Sequence, residues 1–378
     1  MRTLAVVLCV SRAVALLAAQ PPGATSAATA KTSTAESPPA AILATMKRVA
    51  DWQLAHPTGS NYDSGEQGWM YCALYAGIMA LDEIAGTPKY RDAMIAMGAK
   101  FKWEPAPRPY HADDQCISQI YLALYLKRPD PVMLRPTKAR FDFILAHPVN
   151  SDLRMGVSGE QRRWSWCDAL FMAPPAWIRL YQATGDHRYL DFMDKEWWAA
   201  SDFLYDRNDH LFFRDSSYFD KREANGAKVF WSRGNGWVMA GLARVLPLLP
   251  ADHPHRKLYE QQFKEMAARV ASLQQPDGLW HPSLLDPGSF PLKETSGSGL
   301  FTFAFAWGIN SGLLDHTAYE PVVRRAWNAL VECVTLEGKL EHVQPVAADP
   351  KAFDPGHTEV FGTGAFLLAG REIYRLAS

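Results

Sequence analysis

The sequence lacks an excess of charge of either sign. Its 39 Lys and Arg residues nearly balance its 40 Asp and Glu residues, so the formal net charge is −1 over 378 residues. This balance gives no electrostatic reason to expect a nucleic acid or an anionic membrane as partner. After the N-terminal segment, no apolar run is long enough to span a membrane. Hydrophobic residues make up 48% of the chain, which is enough to bury a large core.

Several motifs with well-defined chemistry are also missing. The sequence contains no CxxC pair, P-loop, GxSxG elbow, HExxH helix or GxGxxG turn. Four cysteines follow the N-terminal segment, and they are isolated from one another: Cys72, Cys116, Cys167 and Cys333. Isolated cysteines in apolar helical surroundings are most often buried free thiols. We therefore expect neither a bound metal nor an organic cofactor.

The first 37 residues predict an export signal followed by a flexible spacer. Arg2 precedes the apolar stretch LAVVLCV, Arg12 interrupts it and AVALLAA continues it. Small and polar residues then run from Gln20 to Ser37. The pattern predicts a periplasmic or secreted protein whose single catalytic domain covers residues 38–378.

From about Pro39 onward, helical periodicity dominates and two kinds of helix alternate. Amphipathic, charged segments are predicted at 40–56, 88–101, 136–147, 187–201, 255–274 and 320–334. Apolar segments rich in small residues are predicted at 70–81, 114–126, 167–181, 236–249, 298–312 and 357–374. A helix that is apolar all round is buried, and a one-sided helix lies at the surface. The alternation therefore predicts an all-α protein, an (α/α)6 barrel without β-strands, in which Pro174 and Pro175 kink or restart the third inner helix.

The long connections that lead into the inner helices carry aromatic, charged and glycine-rich residues. Examples are GSNYDSGEQGWMY, which contains Trp69, and PAPRPYHADD. In a barrel such connections converge at one end, and functional residues often lie on loops over a rigid scaffold. We therefore expect a cleft at that end, with Trp69 among its substrate-binding residues.

The segment FWSRGNGW combines aromatic platforms with a cation. Trp231 and Trp237 provide flat apolar surfaces on which a sugar ring can lie. Arg233 lies between them and offers a fork of donors suited to a carboxylate. Gly234 and Gly236 allow the backbone to approach a ligand closely. The combination predicts a pocket for an acidic sugar, although a salt bridge within the protein is an alternative role for Arg233.

Two acidic segments are candidates for catalysis. HADD contains Asp113, and WSWCDALFM contains Asp168 among apolar and aromatic residues. Either aspartate can also serve as a helix N-cap or a first-turn charge. Burial against aromatic groups raises a carboxyl pKa, which suits a general acid near neutral pH. His281, at a loop-to-helix junction, is a further candidate for contact with substrate, although a structural role is commoner for such a histidine.

Six blocks in a fixed order carry a family resemblance. They are HADDQ, WSWCDALFMAPP, FWSRGNGW, DGLWHPSLLD, ETSGSGLFTFAFAWGI and GTGAFLLAGREIY, and they extend over nearly the whole chain after the N-terminal segment. As a set they resemble the unsaturated rhamnogalacturonyl hydrolases, glycoside hydrolase family 105. The resemblance implies an (α/α)6 barrel in which Asp168 is the proton donor and Asp113 assists at the same centre. It places four residues in the sugar pocket: Trp166, Trp231, Arg233 and Trp237. Arg214 occupies the place where some members of the family have a histidine, so we count it with the substrate-binding residues.

The implied chemistry is hydration of a double bond. Pectin lyases leave a terminal uronic acid with a C4=C5 double bond. The resemblance implies that Asp168 donates a proton to C4 and that water adds at C5, with Asp168 or Asp113 as base. The resulting hemiketal opens and expels the neighbouring sugar, so the predicted partner is a small rhamnogalacturonan oligosaccharide.

Three other functions stay open at this point. The chain could be an unsaturated glucuronyl hydrolase for another polysaccharide, a different enzyme on the same barrel such as a sugar epimerase, or a carbohydrate-binding toroid without catalysis. An epimerase would be expected to use paired histidines at the barrel centre, and a binding protein would be expected to lose the acid. The identity of the leaving sugar and the oligomeric state cannot be read from the sequence.

Overall fold

The computed structural model describes Met1 and residues 38–57, 65–156 and 161–378. The predicted export signal and spacer therefore lie outside the described residues, apart from Met1. The helices of the described ranges are α1 (Pro39–Ala55), α2 (Trp69–Asp82), α3 (Lys89–Lys100), α4 (Ala112–Gln115), α5 (Ser118–Lys127), α6 (Pro131–Ala146), α7 (Ala169–Met172), α8 (Pro174–Thr184), α9 (His187–Leu204), α10 (Ser232–Val245), α11 (Arg256–Ala271), α12 (Thr295–Asn310), α13 (His316–Glu332) and α14 (Val360–Ala377). A short antiparallel hairpin pairs β1 (Tyr205–Asp206) with β2 (Leu211–Phe212).

Helices α2, α5, α8, α10, α12 and α14 form a closed inner ring. Each packs against its two neighbours in this order, and α14 packs back onto α2. Helices α1, α3, α6, α9, α11 and α13 pack on the outside of the ring. The short helices α4 and α7 lead into α5 and α8, so six inner positions alternate with six outer ones along the chain. The predicted (α/α)6 barrel is confirmed, and its helices belong to one compact unit. The domain boundary near residue 38 stays a prediction.

The two kinds of helix bury different amounts of their surface. Inner helix α12 is buried along its length from Thr295 to Ile309. Outer helix α11 buries Tyr259, Phe263, Met266 and Val270, whose spacing of three or four residues places them on one face. Small residues allow the inner helices to approach closely. At Gly77 of α2, an added Cβ would lie 2.5 Å from the carbonyl oxygen of Gly364 in α14.

Three local predictions can be compared with the structure. The inner helix that was expected to kink at Pro174 ends at Met172 as α7 and restarts at Pro174 as α8, as predicted. Helix α6 begins at Pro131 rather than near residue 136, because the side chain of Asp130 accepts a hydrogen bond from the Val132 N–H and caps an earlier start. The prediction of a barrel without β-strands was wrong in one place, the β1–β2 hairpin.

Two expectations from composition concern the rest of the molecule. Within the described ranges, no helix is long and apolar enough to cross a membrane. All four cysteines of these ranges are buried and free of disulfides.

Candidate active site

A cleft of about 610 Å³ lies where the inner helices begin. Its wall contains six of the nine residues predicted for the site: Trp69, Asp113, Trp166, Asp168, Arg214 and Trp231. Trp69 is the first residue of α2, Asp113 lies in α4, and Asp168 and Trp231 immediately precede α7 and α10. The barrel thus brings together residues that are up to 162 positions apart in the sequence, as the converging connections predicted.

The backbone around Asp168 is held by the segment that carries Arg214. Trp166 forms an isolated antiparallel bridge with Asp215, and the Cys167 N–H donates to the Arg214 carbonyl at 2.8 Å. Asp168 occupies the N-cap position of α7, but its side chain makes no capping hydrogen bond. The carboxyl group instead faces the cleft, so the capping role considered from the sequence does not apply.

Burial raises the pKa of the Asp168 carboxyl. The Arg214 charge opposes that rise, because Arg214 Nε lies 3.8 Å from Asp168 Oδ2. The Cys167 thiol donates to the same Oδ2 at 3.4 Å and also favours the ionised form. Arg214 is fixed on its other side by Asp215, whose Oδ2 lies 2.7 Å from Nη1. Asp168 is therefore a largely buried acid beside one fixed cation.

Asp113 is the second carboxyl group of the cleft. Burial raises its pKa from the usual 3.8 to about 7, and the negative charge of Asp168 contributes to the rise. Arg108 and Arg214 lower it only in part. A carboxyl with a pKa near 7 exchanges protons readily at neutral pH. Asp113 and Asp168 thus form a pair of carboxyl groups that influence each other's protonation.

His111 orients Asp113 and is itself uncharged. Its Nδ1 accepts a hydrogen bond from the Asp113 backbone N–H at 3.3 Å, so Nδ1 carries no proton. The proton is then on Nε2, which donates to Gln161 Oε1 at 2.8 Å. Burial and the nearby Arg108 charge lower the pKa of His111, in agreement with a neutral ring. Nδ1 also lies 3.8 Å from Asp113 Oδ2.

Three indole rings give the cleft its apolar walls. Trp166 packs against the His111 ring with a centroid distance of 4.9 Å. Trp231 is fixed by its Nε1–H, which donates to Gln344 Oε1 at 2.9 Å. Trp69 stacks on Phe361 at 5.2 Å. Such platforms suit the apolar faces of a sugar ring.

Three predicted residues lie outside the cleft. The guanidinium of Arg233 is completely buried and donates to the carbonyl oxygens of Gln344 at 2.7 Å and Pro345 at 2.8 Å. It stacks on Trp231 at 4.4 Å and on Phe361 at 4.8 Å. Arg233 therefore packs against Trp231, with its guanidinium held by backbone carbonyls, and is not among the residues that line the cleft.

Trp237 and His281 also lie away from the cleft wall. Trp237 lies one helical turn after Arg233 on the same face of α10, and it is completely buried against Phe171 and the edge of Trp69. His281 is tied to Asp277 through Nε2 at 3.1 Å and to the Pro287 carbonyl through Nδ1 at 3.3 Å. Its role is structural, the commoner one for a histidine at such a junction.

The cleft also contains residues that the sequence did not single out as site residues. They are Arg108, His111, Gln161, Met172, Val346 and Ala347. Arg108 is part of the connection PAPRPYHADD and holds Asp114 through a hydrogen bond from Nε at 3.0 Å. The position of Arg108 and His111 on a connection that leads into an inner helix could have identified them as cleft residues from the sequence. No local pattern marks Gln161, Val346 or Ala347. Among the described residues, no group of three or more His, Cys, Asp or Glu side chains could hold a metal ion.

Comparisons with known proteins identify the family of this chain. The chain matches the model of Glycosyl Hydrolase Family 88 over residues 45–377. An unsaturated 3S-rhamnoglycuronyl hydrolase from Formosa agariphila is 41% identical over 349 residues, which cover 89% of this chain and 91% of that protein. A protein of the same name from an Alteromonas species is 36% identical over 360 residues, which cover 89% of this chain and 87% of that protein.

A solved structure supports the same assignment. A glycosyl hydrolase family 88 protein from Bacteroides vulgatus aligns with a TM-score of 0.81 at 31% identity, covering 90% of this chain and 99% of that one. The predicted enzyme class and the recognition of an unsaturated-uronyl hydrolase family are confirmed, although the matching model carries the number 88, whereas the sequence blocks resembled family 105. This chain belongs to glycosyl hydrolase family 88, and it is a glycosyl hydrolase.

Proposed function

We propose that this enzyme releases a terminal 4,5-unsaturated uronic acid from lyase-generated oligosaccharides in which the uronic acid is attached to rhamnose. The observation that carries the proposal is the pair Asp113 and Asp168, two largely buried carboxyl groups with raised pKa values in one cleft. Indole walls and the Arg214 cation surround the pair. This combination fits an acidic sugar that must be protonated at carbon.

The reaction begins with proton transfer from Asp168 to C4 of the double bond. Water then adds at C5, and a carboxylate accepts the proton that this water loses. The product is a hemiketal at C5. It opens by breaking the bond between C5 and the ring oxygen, so that C5 becomes a ketone and the former ring oxygen becomes a hydroxyl group on C1. C1 now carries that hydroxyl together with the bond to the leaving sugar. This hemiacetal collapses to an aldehyde and releases the sugar, so one water molecule is consumed for each bond cleaved.

Asp113 is suited to the accepting step. Its pKa of about 7 leaves a substantial fraction ionised at neutral pH, as a base requires. The neutral His111 imidazole donates to Gln161 and not to the Asp113 carboxyl, so it leaves that carboxyl available for water. Arg214, 3.8 Å from Asp168, stabilises the carboxylate that Asp168 becomes after it has donated its proton.

Substrates from different parent polysaccharides differ in the leaving sugar and its linkage, not in the unsaturated ring. Galacturonate and glucuronate differ at C4, and elimination converts C4 into part of a double bond. The unsaturated ring is therefore the same from both sources, and only the anomeric linkage and the next sugar distinguish them. The names of both relatives combine a uronyl group with rhamnose. We accordingly place rhamnose next to the bond that is cleaved, as in rhamnogalacturonan fragments.

Two lyase digests test the proposal, one of rhamnogalacturonan and one of a glucuronate–rhamnose polysaccharide. The enzyme should abolish the ultraviolet absorbance of the conjugated double bond in at least one digest and release a rhamnose-terminated product. Asp168→Asn should reduce kcat by about 100-fold or more, because a positioned general acid contributes about 10²–10⁴-fold. Asp277→Asn, which removes a carboxyl outside the cleft, should keep kcat near the wild-type value. No loss of absorbance in either digest, or near-normal turnover by Asp168→Asn, would contradict the proposal.

A further inference from the structure

A second cavity lies at the end of the barrel opposite the cleft. Its volume is about 880 Å³, and the C-terminal halves of the inner helices line it. Apolar side chains form much of its wall, among them Met79, Ile120, Phe303, Trp307 and Leu368. No step of the proposed reaction uses this cavity.

Basic side chains outnumber acidic ones on the wall of this cavity. The basic residues are Lys127, Arg179, Arg244, Arg371 and Arg375, and the acidic residues are Glu83 and Glu372. Both acids already have partners: Arg371 contacts both of them, and Arg375 Nη1 lies 3.3 Å from Glu372. Lys127 pairs with Asp82 at 3.1 Å.

Arg179 and Arg244 are the two cations of this wall that form no ion pair with the described residues. Arg179 Nη1 donates to the Pro175 carbonyl at 2.9 Å. Arg244 donates from Nη2 to Gln119 Oε1 at 2.9 Å and stacks over Phe171 at 5.5 Å. These partners are all neutral. Burial and the Arg244 charge lower the pKa of Arg179 to about 9, so the two half-buried cations repel each other, and the Glu83 carboxylate opposes this shift only in part.

The dipole of the helix on which it lies compensates the charge of only one of these two cations. The carbonyl end of a helix carries a partial negative charge that acts within about the last turn. Arg244 lies in the last turn of α10 and benefits from it. Arg179 lies more than one turn before the end of α8, so the dipole of that helix does not compensate it. An anion between the two half-buried guanidinium groups would offset their mutual repulsion.

We propose that this cavity is a binding site for a small oxyanion, a carboxylate or a sulfate, held between Arg179 and Arg244. Guanidinium groups present parallel N–H donors that match the paired oxygens of such ions. The apolar wall beside them, with Phe303 and Trp307, leaves room for a body of the size of a sugar. The site is independent of the reaction proposed for the cleft.

Thermal unfolding of the full-length protein tests the proposal, with sodium sulfate and sodium glucuronate as probes. Sodium chloride at matched ionic strength and uncharged glucose are the controls. The melting temperature should rise saturably with at least one of the two anions. The anion that raises it shows whether the ligand is an inorganic ion or an acidic sugar. Arg179→Gln and Arg244→Gln should each weaken binding by about 10-fold or more, since a hydrogen bond to a charged group contributes about 1.5–3 kcal/mol. Arg207→Gln, which removes an exposed arginine paired with Asp202, should bind as the wild type does.

The double variant Arg179→Gln/Arg244→Gln separates this cavity from the cleft. It should lose the saturable stabilisation and keep kcat/KM on the unsaturated substrate. If the stabilisation survives in the double variant, the anion binds elsewhere and the proposal fails. It also fails if neither anion acts beyond the chloride control. Should the double variant not fold, equilibrium dialysis with Arg179→Gln decides, because unchanged affinity for the stabilising anion would overturn the proposal.

Discussion

Replacing Asp113 by asparagine should make the protein more stable than the wild type at pH 8 and should change little in acid. Burial raises the pKa of Asp113 from 3.8 to about 7. Below pH 3.8, this group is protonated in both the folded and the unfolded state. Between the two values the folded state keeps a proton that the unfolded state releases, so stability falls as the pH rises. Above pH 7 the folded state carries a buried charge, and the full cost is present.

The size of the effect follows from the difference between the two pKa values, 3.8 and about 7. One pKa unit corresponds to about 1.4 kcal/mol, so the ceiling is about 4 kcal/mol at pH 8. Asparagine resembles the protonated carboxyl in shape and carries no charge, so it avoids this cost. The free energy of unfolding of Asp113→Asn should therefore exceed that of the wild type by an amount that grows by about 1.4 kcal/mol per pH unit up to pH 7.

Urea unfolding followed by tryptophan fluorescence at pH 5, 6, 7 and 8 measures this difference directly. Asp186→Asn is a control of opposite sign. A hydrogen bond from Arg188 lowers the pKa of Asp186 from 3.8, so its ionised form stabilises the fold. That stability is lost only below pH 3.8, so the effect of this substitution should stay constant from pH 5 to 8. Asparagine can still cap α9, but it lacks the charge that pairs with Arg188. This variant should therefore be less stable than the wild type at neutral pH. If the difference between Asp113→Asn and the wild type stays constant from pH 5 to 8, the charge of Asp113 is not buried as the reasoning requires.

Three further predictions concern the cleft and its support. Arg214→Gln removes the charge that lowers the pKa of Asp168, so the alkaline limb of the kcat profile should move to higher pH. Arg214→Lys should leave that limb in place, and identical profiles for the two variants would contradict the assignment. Arg233→Lys should lower the free energy of unfolding by about 2–4 kcal/mol, because lysine cannot bridge two carbonyls while stacking on Trp231. An increased KM with unchanged stability would instead place Arg233 at the substrate. Chelation with EDTA should leave kcat/KM unchanged, because the described residues offer no group of three metal-ligating side chains, and a loss restored by one divalent ion would refute this.

The barrel could be predicted because its helices differ in how they meet solvent. An inner helix such as α12 has neighbours on every side, so apolar residues fill its whole circumference. An outer helix such as α11 has one buried face, which leaves a clear period of 3.6 in the sequence. The start of α6 was misjudged because Pro136 suggested a boundary. The helix tolerates that proline in its interior, while the capped pair Asp130 and Pro131 forms the true start.

The site was harder to predict than the fold, because a segment shows which side chains are present but not which face of a helix meets the ligand. Trp231 lies just before α10 and faces the cleft, whereas Arg233 and Trp237 share an inward face of α10 that meets Phe361. Neighbouring residues of one motif thus separate into one that lines the cleft and two that pack behind it. Gln161 could not be found by any local rule, since its role depends on a contact with His111, fifty positions away.

The direction of the inner helices connects the chemistry of the two ends of the barrel. The cleft collects residues at helix N-terminal ends, where the partial positive charge of the helix favours an acidic substrate. That same charge favours ionised carboxylates, so the pKa of Asp113 reaches about 7 and the pKa of Asp168 is raised only because burial outweighs it. A variant that admits water to the cleft should therefore lower both pKa values at once. Trp166→Ala is such a change, because Trp166 packs against His111 and lines the cleft beside both acids. We expect the alkaline limb of its kcat profile to move to lower pH, and an unchanged limb would show that burial does not set these values.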